Sequence, residues 1–223
     1  MTARTRIKIC GLTREQDVEA AVAAGADAIG FVLYPRSPRA VTAERAAVLA
    51  RYLPPFVAPV LLVVNETPEA IAHALEQVPN ALLQFHGDET PDDCARATHS
   101  GRRPFLRAAR IPIDPAQSFD LLKFAADYQQ AQAILLDAHV EEYGGGGKAF
   151  DWSRLPANVS SHLVLSGGLT PANVTDGILQ VRPRCLSLAV DVSSGVEASK
   201  GIKDAGKIHQ FVAAVRAADE RLA

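Results

Sequence analysis

Arg6-Ile7-Lys8-Ile9-Cys10 runs without a break into Gly11-Leu12-Thr13-Arg14-Glu15-Gln16 and then into the alanine-rich stretch from Val18 to Ala24. Charged and apolar residues alternate in the first part, as in a strand. The second part spaces Val18, Ala21 and Val22 along one helix face. Thr13-Arg14-Glu15-Gln16 reads as a capping box, in which the threonine oxygen and the glutamine side chain satisfy free amides of the first turn. Gly25 stands where a C-terminal cap is needed. One strand feeding one helix is a unit, and the fold follows from how often that unit recurs.

It recurs along the whole chain. Strands are expected at Ile7–Cys10, Ala28–Leu33, Pro59–Val64, Leu82–His86, Phe105–Ala108, Ile134–Asp137, Leu163–Ser166 and Leu186–Asp191. Thr67-Pro68, Thr90-Pro91 and Thr170-Pro171 each place a threonine N-cap before a proline at the first helical position, where its missing N–H costs nothing. A helix near Ala116 to Ala126 fills the least regular interval, 111–133. Eight strands separated by helices imply a parallel sheet, and in 223 residues they fit one α/β domain over 1–223, a closed (β/α)8 TIM barrel. A doubly wound sheet would have fewer units and a glycine fingerprint after its first strand, and none is present. Gly144-Gly145-Gly146-Gly147-Lys148 is no P-loop, since Glu142 replaces the first glycine and Ala149 the Ser or Thr.

Composition narrows the function. A net charge of −2 with interspersed signs argues against nucleic acid or an anionic membrane as partner. Met1-Thr2-Ala3-Arg4 lacks the apolar segment of a secretory signal, and the apolar runs are strand-sized. Three widely spaced cysteines without CxxC fit a reducing cytoplasm rather than a disulfide framework or a zinc site.

In a barrel the reacting groups come from the C-terminal ends of strands. Period-two alternation puts Arg6, Lys8 and Cys10 on one face, Gln84 and His86 on one face, and Leu135 with Asp137. With the apolar faces toward the helices, Lys8, Cys10, Gln84 and His86 point inward. Each has a bland alternative. Cys10 taken alone reads more readily as a small buried hydrophobe, Asp137 equally as a turn residue and His86 equally as a core histidine, while Asp191, Cys94 and Cys185 lean structural. What raises Cys10 and Asp137 is their shared place at strand ends on opposite sides of one pocket. Ser166-Gly167-Gly168 and Ser193-Ser194-Gly195 follow the seventh and eighth strands, where glycine-rich loops of barrels commonly hold phosphate. Gly144 to Gly147, with Gly145 and Gly146 at its centre, reads as a flap over the site or as a plain linker.

Taken in order, Lys8-Ile9-Cys10-Gly11, Gly25 to Phe31, Tyr34-Pro35-Arg36-Ser37-Pro38-Arg39, Gln84-Phe85-His86-Gly87, Leu136-Asp137, Phe150-Asp151-Trp152, Leu165 to Leu169 and Val190 to Glu197 resemble the phosphoribosylanthranilate isomerase family. The likeness runs from residue 6 past Lys203-Asp204. It departs where Gly146 replaces a threonine of the glycine loop, Arg36 a lysine and Phe85 a leucine. The resemblance implies a (β/α)8 enzyme of tryptophan biosynthesis that converts N-(5-phosphoribosyl)anthranilate to 1-(2-carboxyphenylamino)-1-deoxyribulose 5-phosphate, an Amadori rearrangement. It implies Cys10 as general base and Asp137 as general acid, a phosphosugar partner, and neither metal nor cofactor. Arg39 is then expected to bind the anthranilate carboxylate in a fork geometry, with Arg36 as the alternative. A thiol titrates near ~8.5, so Cys10 needs a cationic neighbour, for which Lys8 is the candidate. The chain is expected to be a monomer or homodimer. Against this stand a metal-dependent phosphosugar epimerase, for which too few histidines and acids stand at strand ends, a Schiff-base lyase with Lys8, and a non-catalytic phospholigand barrel.

Overall fold

The computed structural model describes residues 4–114, 116–139 and 149–222. Eight strands form it: β1 (Arg6–Cys10), β2 (Ala28–Val32), β3 (Ala58–Val63), β4 (Leu82–Phe85), β5 (Phe105–Pro112), β6 (Ala133–His139), β7 (Val159–Leu165) and β8 (Cys185–Val192). All pair in parallel with their sequence neighbours, and β8 returns to β1 with Ile7 opposite Val190, which closes the barrel. Helices α1 (Glu15–Ala24), α2 (Ala43–Ala50), α3 (Pro68–Gln77), α4 (Pro91–Ala97), α5 (Leu121–Asp127), α6 (Val174–Val181) and α7 (Ala205–Arg221) surround it. A hairpin of β9 (Glu197–Ser199) and β10 (Ile202–Lys203) sits between β8 and α7. No helix among the described residues is long and apolar enough to cross a membrane.

The alternation of side chains sorts the core into two layers. Ile7, Ile9, Ile29, Phe31, Leu61, Leu83 and Phe85 face the helices and pack with Leu49, Ile71 and Phe211. Val60, Leu106, Ala108, Leu135 and Val164 fill the barrel interior. Each fully buried large side chain in these layers contributes about 1.5–3 kcal/mol of transfer free energy, so the alternation that fixes the register also fixes which residues reach the inside.

Thr67 and Thr90 cap α3 and α4 as their sequences require, Thr90 in a reciprocal capping box with Asp93. Gly25 closes α1 at φ 97°, its N–H reaching Ala21 and Val22 carbonyls. Two caps differ from expectation. Helix α1 begins at Glu15 with no side-chain cap, because the Thr13 hydroxyl donates to Gly201 O of the β9–β10 hairpin at 3.1 Å. Helix α6 begins at Val174 rather than after Thr170-Pro171: Asn173 accepts from Thr170 N (2.8 Å) and donates to Gly168 O (3.0 Å), folding the intervening residues back onto the glycine loop. A distant partner takes Thr13 out of its cap, and a local one, Asn173, takes Thr170 out of its own. Helix α5 starts later than the 116–126 expectation because Asp120 accepts from Lys123 N at 2.9 Å and sets its first turn.

Candidate active site

At the C-terminal end of the barrel one cavity is lined by Cys10, Val32, Tyr34, Ser37, Arg39, Leu62, Val64, Gln84, His86, Asp137, Ser166, Gly167, Gly168, Leu169, Asp191, Val192, Ser193 and Ser194. Every strand but β5 contributes, either by its last residues or by the loop that follows. Cys10 ends β1, and Asp137 lies near the end of β6, three strands away around the closed ring. Both are nearly buried, at 4% and 6% exposure, yet both face the same space.

Glycines make the room. A Cβ on Gly30 of β2 would stand 2.7 Å from Cys10 Sγ, so only glycine leaves the thiol its place. Gly167, at φ 77°, passes so close to β6 that a Cβ would meet Ala138 N at 2.4 Å and Asp137 Oδ1 at 2.9 Å. The glycine loop is thus pressed directly against the carboxyl group.

Around the thiol the charges are balanced in pairs. Lys8 Nζ bonds Asp191 Oδ1 at 2.9 Å inside the barrel. Burial works to lower the Lys8 ammonium, but the Asp191 carboxylate and Cys10 outweigh it and hold it above its ordinary value. For Cys10, burial pushes the thiol up, against the pull of Lys8, while Asp191 adds to the rise and Lys203 opposes it. The expected cationic neighbour is therefore present, but burial wins, and Cys10 rests as a thiol. Around Asp137 the arrangement is a chain: Oδ2 lies 2.9 Å from His86 Nε2, and His86 Nδ1 lies 2.9 Å from Gln84 Nε2. Gln84 Oε1 is buried without a hydrogen-bond partner among the described residues.

Arg39 enters from the loop after β2, which folds back on its strand through the Val32–Ala40 bridge and the bond from Arg39 N to Ser37 Oγ (3.1 Å). Its chain crosses Gly11 at φ 78°, where a Cβ would stand 2.5 Å from Arg39 Cδ. The guanidinium gives Nε and Nη2 to the two oxygens of Glu197, at 2.7 and 2.8 Å. Glu197 Oε1 also accepts from Lys203 Nζ at 2.9 Å, and Lys203 donates to Ser193 O (3.0 Å) and Oγ (3.3 Å). Burial would raise the Glu197 carboxyl, but Arg39 and Lys203 hold it below its ordinary value.

Of the residues singled out in the sequence, Cys10, Asp137, Arg39, His86, Gly167, Gly168, Ser193 and Ser194 come together around the cavity. Lys8 lies beneath it and lines a second, larger cavity of about 370 Å3 at the N-terminal end of the barrel, whose walls are mainly apolar. Gly195 is not on the cavity wall. A Cβ there would stand 1.9 Å from Leu169 O, so Gly195 packs the loop after β8 against the loop after β7. Gly145 and Gly146 lie outside the described residues. Sequence reading did not single out Gly30, Glu197 or Lys203 as site residues. Their roles are set by strand register and by the hairpin after β8, neither of which leaves a periodic signal.

A family model described as N-(5'phosphoribosyl)anthranilate (PRA) isomerase matches residues 7–214. The chain is 65% identical to the N-(5'-phosphoribosyl)anthranilate isomerase of Leptothrix cholodnii, over 98% of this chain and 94% of that protein. Its fold superimposes on the crystal structure of phosphoribosyl anthranilate isomerase from Thermotoga maritima with a TM-score of 0.83 at 41% identity, covering 96% of this chain and 99% of that one. A crystal structure of such an isomerase in complex with reduced 1-(o-carboxyphenylamino)-1-deoxyribulose 5-phosphate matches with a TM-score of 0.76 at 37% identity, covering 96% and 99%.

Proposed function

The chain belongs to the N-(5'-phosphoribosyl)anthranilate isomerase family, and from that premise we propose that Cys10 and Asp137 divide the proton transfers of its reaction. The enzyme isomerises N-(5'-phosphoribosyl)anthranilate in tryptophan biosynthesis. The observation that carries the assignment is that the Cys10 thiol and the Asp137 carboxyl line a common cavity between a glycine-rich loop and a buried guanidinium, while the cavity's other carboxyl, Asp191, is paired with Lys8.

The Asp137 carboxyl gives its proton to the ribose ring oxygen as the bond from that oxygen to C1' breaks, with the anthranilate nitrogen lone pair forming the C1'=N bond. The Cys10 thiolate then takes the C2' proton, leaving an enolamine. Transfer of the enol proton and protonation of C1' give the 2'-ketone. To begin, Asp137 must hold a proton and Cys10 must not, the reverse of an isolated pair. Lys8 stabilises the thiolate electrostatically. With Gln84 Nε2–H donating to His86 Nδ1, the ring carries its proton on Nε2 and donates it to Asp137 Oδ2, which orients the carboxyl and leaves Oδ1 to carry the acid proton toward the substrate. Such acid–base groups each contribute about 100- to 10,000-fold.

Gly167, Gly168, Ser193 and Ser194 are the phosphate side of this reading, offering backbone N–H groups and hydroxyls at the loops after β7 and β8. Arg39 binds the anthranilate carboxylate with the N–H groups that Glu197 leaves open. Cys10→Ala and Asp137→Asn are each expected to abolish turnover while the reduced ketose product still binds. Near-normal turnover in either variant would refute the assignment.

A further inference from the structure

Arg39 and Lys203 share a single carboxylate. Glu197 receives two parallel N–H bonds from the guanidinium and one from the ammonium, and all three side chains are at least nine-tenths buried. Lys203 spends its remaining donors on Ser193 O and Oγ, so each of its three N–H bonds has an acceptor. Ser193 Oγ in turn donates to Cys10 O at 3.0 Å. The cluster therefore holds two cations and one anion away from water, beside a cavity that Arg39 and Ser193 line but Glu197 and Lys203 do not.

From this we infer that Glu197 is a positioning and specificity-determining residue: it fixes the plane of the Arg39 guanidinium so that the remaining N–H groups meet a carboxylate on the substrate's aryl ring. The inference rests on the proposed role of Arg39 and adds its cause. A guanidinium held by a bidentate fork presents its other N–H groups in one direction only. Its rotational freedom is spent during folding rather than on binding, which is how a preorganised donor discriminates between ligands. The same carboxylate anchors Lys203 and through it the Ser193 segment, joining the aryl end of the site to the phosphate end and to the Cys10 backbone.

Removing the bidentate acceptor tests this. In Glu197→Gln one carboxylate oxygen becomes an amide that points donors at donors, so Arg39 loses its fixed plane. The measurement is calorimetric binding of two ligands, reduced 1-(o-carboxyphenylamino)-1-deoxyribulose 5-phosphate and its analogue without the carboxylate. The unmodified enzyme is expected to prefer the carboxylated ligand by roughly 30-fold or more. Glu197→Gln should reduce that preference to within about threefold, with any cost passed through the Ser193 segment falling on both ligands alike. Glu197→Gln combined with Lys203→Met removes the unpaired buried ammonium and secures a folded protein for the same reading; it too should lose the preference. Retention of the preference in both variants overturns the inference, as does an equal loss for both ligands, which would mean a merely structural role. Arg39→Met separates the premise: if it keeps the preference, Arg39 does not bind the carboxylate at all.

Discussion

His86 Nε2 and Asp137 Oδ2 stand 2.9 Å apart inside the barrel mouth, one on the segment leaving β4 and the other on β6. Both are almost fully screened from water, so the direction of the proton between them is set by the groups they touch. Among the described residues the other polar partner of the ring is Gln84, whose amide can present either a donor or an acceptor to Nδ1.

If this pair keeps Asp137 ready as an acid, His86→Ala should lower kcat while leaving binding of the reduced product nearly unchanged. The loss should be about tenfold to a hundredfold, smaller than that of Asp137→Asn, because the acid itself remains. Steady-state kinetics beside calorimetric binding make the comparison. A kcat equal to that of the unmodified enzyme would remove His86 from the proton path.

Cys10 is raised by burial, with Lys8 and Lys203 opposing. A base with a raised pKa gains its thiolate form only as pH climbs past the ordinary thiol range, so the rate of Cys10 alkylation by iodoacetamide, followed by mass spectrometry, should rise toward alkaline pH. Lys8→Met removes the opposing cation and leaves Asp191 uncompensated, and both effects push the rising limb to still higher pH. The pH profiles of the two proteins give the answer, and a limb that moves to lower pH in Lys8→Met would contradict it.

Gly30→Ala places a methyl group 2.7 Å from Cys10 Sγ. The thiol or strand β2 must shift, with an overpacking cost of about 1–3 kcal/mol. Activity should fall by at least about tenfold, since proton transfer needs hydrogen-bond reach. Thermal unfolding and kcat on the same sample register both effects. Unchanged activity would mean that the sulfur has room to relocate without penalty.

Cys94 is buried in α4, and burial raises its thiol from 9.0 to about 12. In the unfolded chain it ionises first, so unfolding releases a proton above pH 9 and stability falls as pH rises from there toward 12. Cys94→Ala should therefore flatten the decline of Tm with pH above 9. Parallel Tm curves for the two proteins would show that the thiol is not the titrating group.

The barrel was legible because its evidence is local and repeated: eight short runs, and the Thr67-Pro68 and Thr90-Pro91 caps that do what their sequence says. Inward-facing Cys10, Gln84 and His86 follow from alternation once the apolar faces of β1 and β4 are set against the helices. What failed to show was decided at long range. Thr13 bonds to Gly201, 188 residues away, and Glu197 meets Arg39 across 158 residues. No spacing rule joins such pairs. The identity of the thiol as a reacting group came from the family resemblance, since a lone cysteine ending a strand is equally a core residue.

The contact between Gly195 and Leu169 O has an evolutionary corollary. With the loops after β7 and β8 interlocked through a position that tolerates no side chain, neither can be lengthened or exchanged without remaking the other. The two loops therefore change together or not at all, and on the proposed reading new substrates are won across the barrel mouth, by exchanging the segments after β2, β3 and β4.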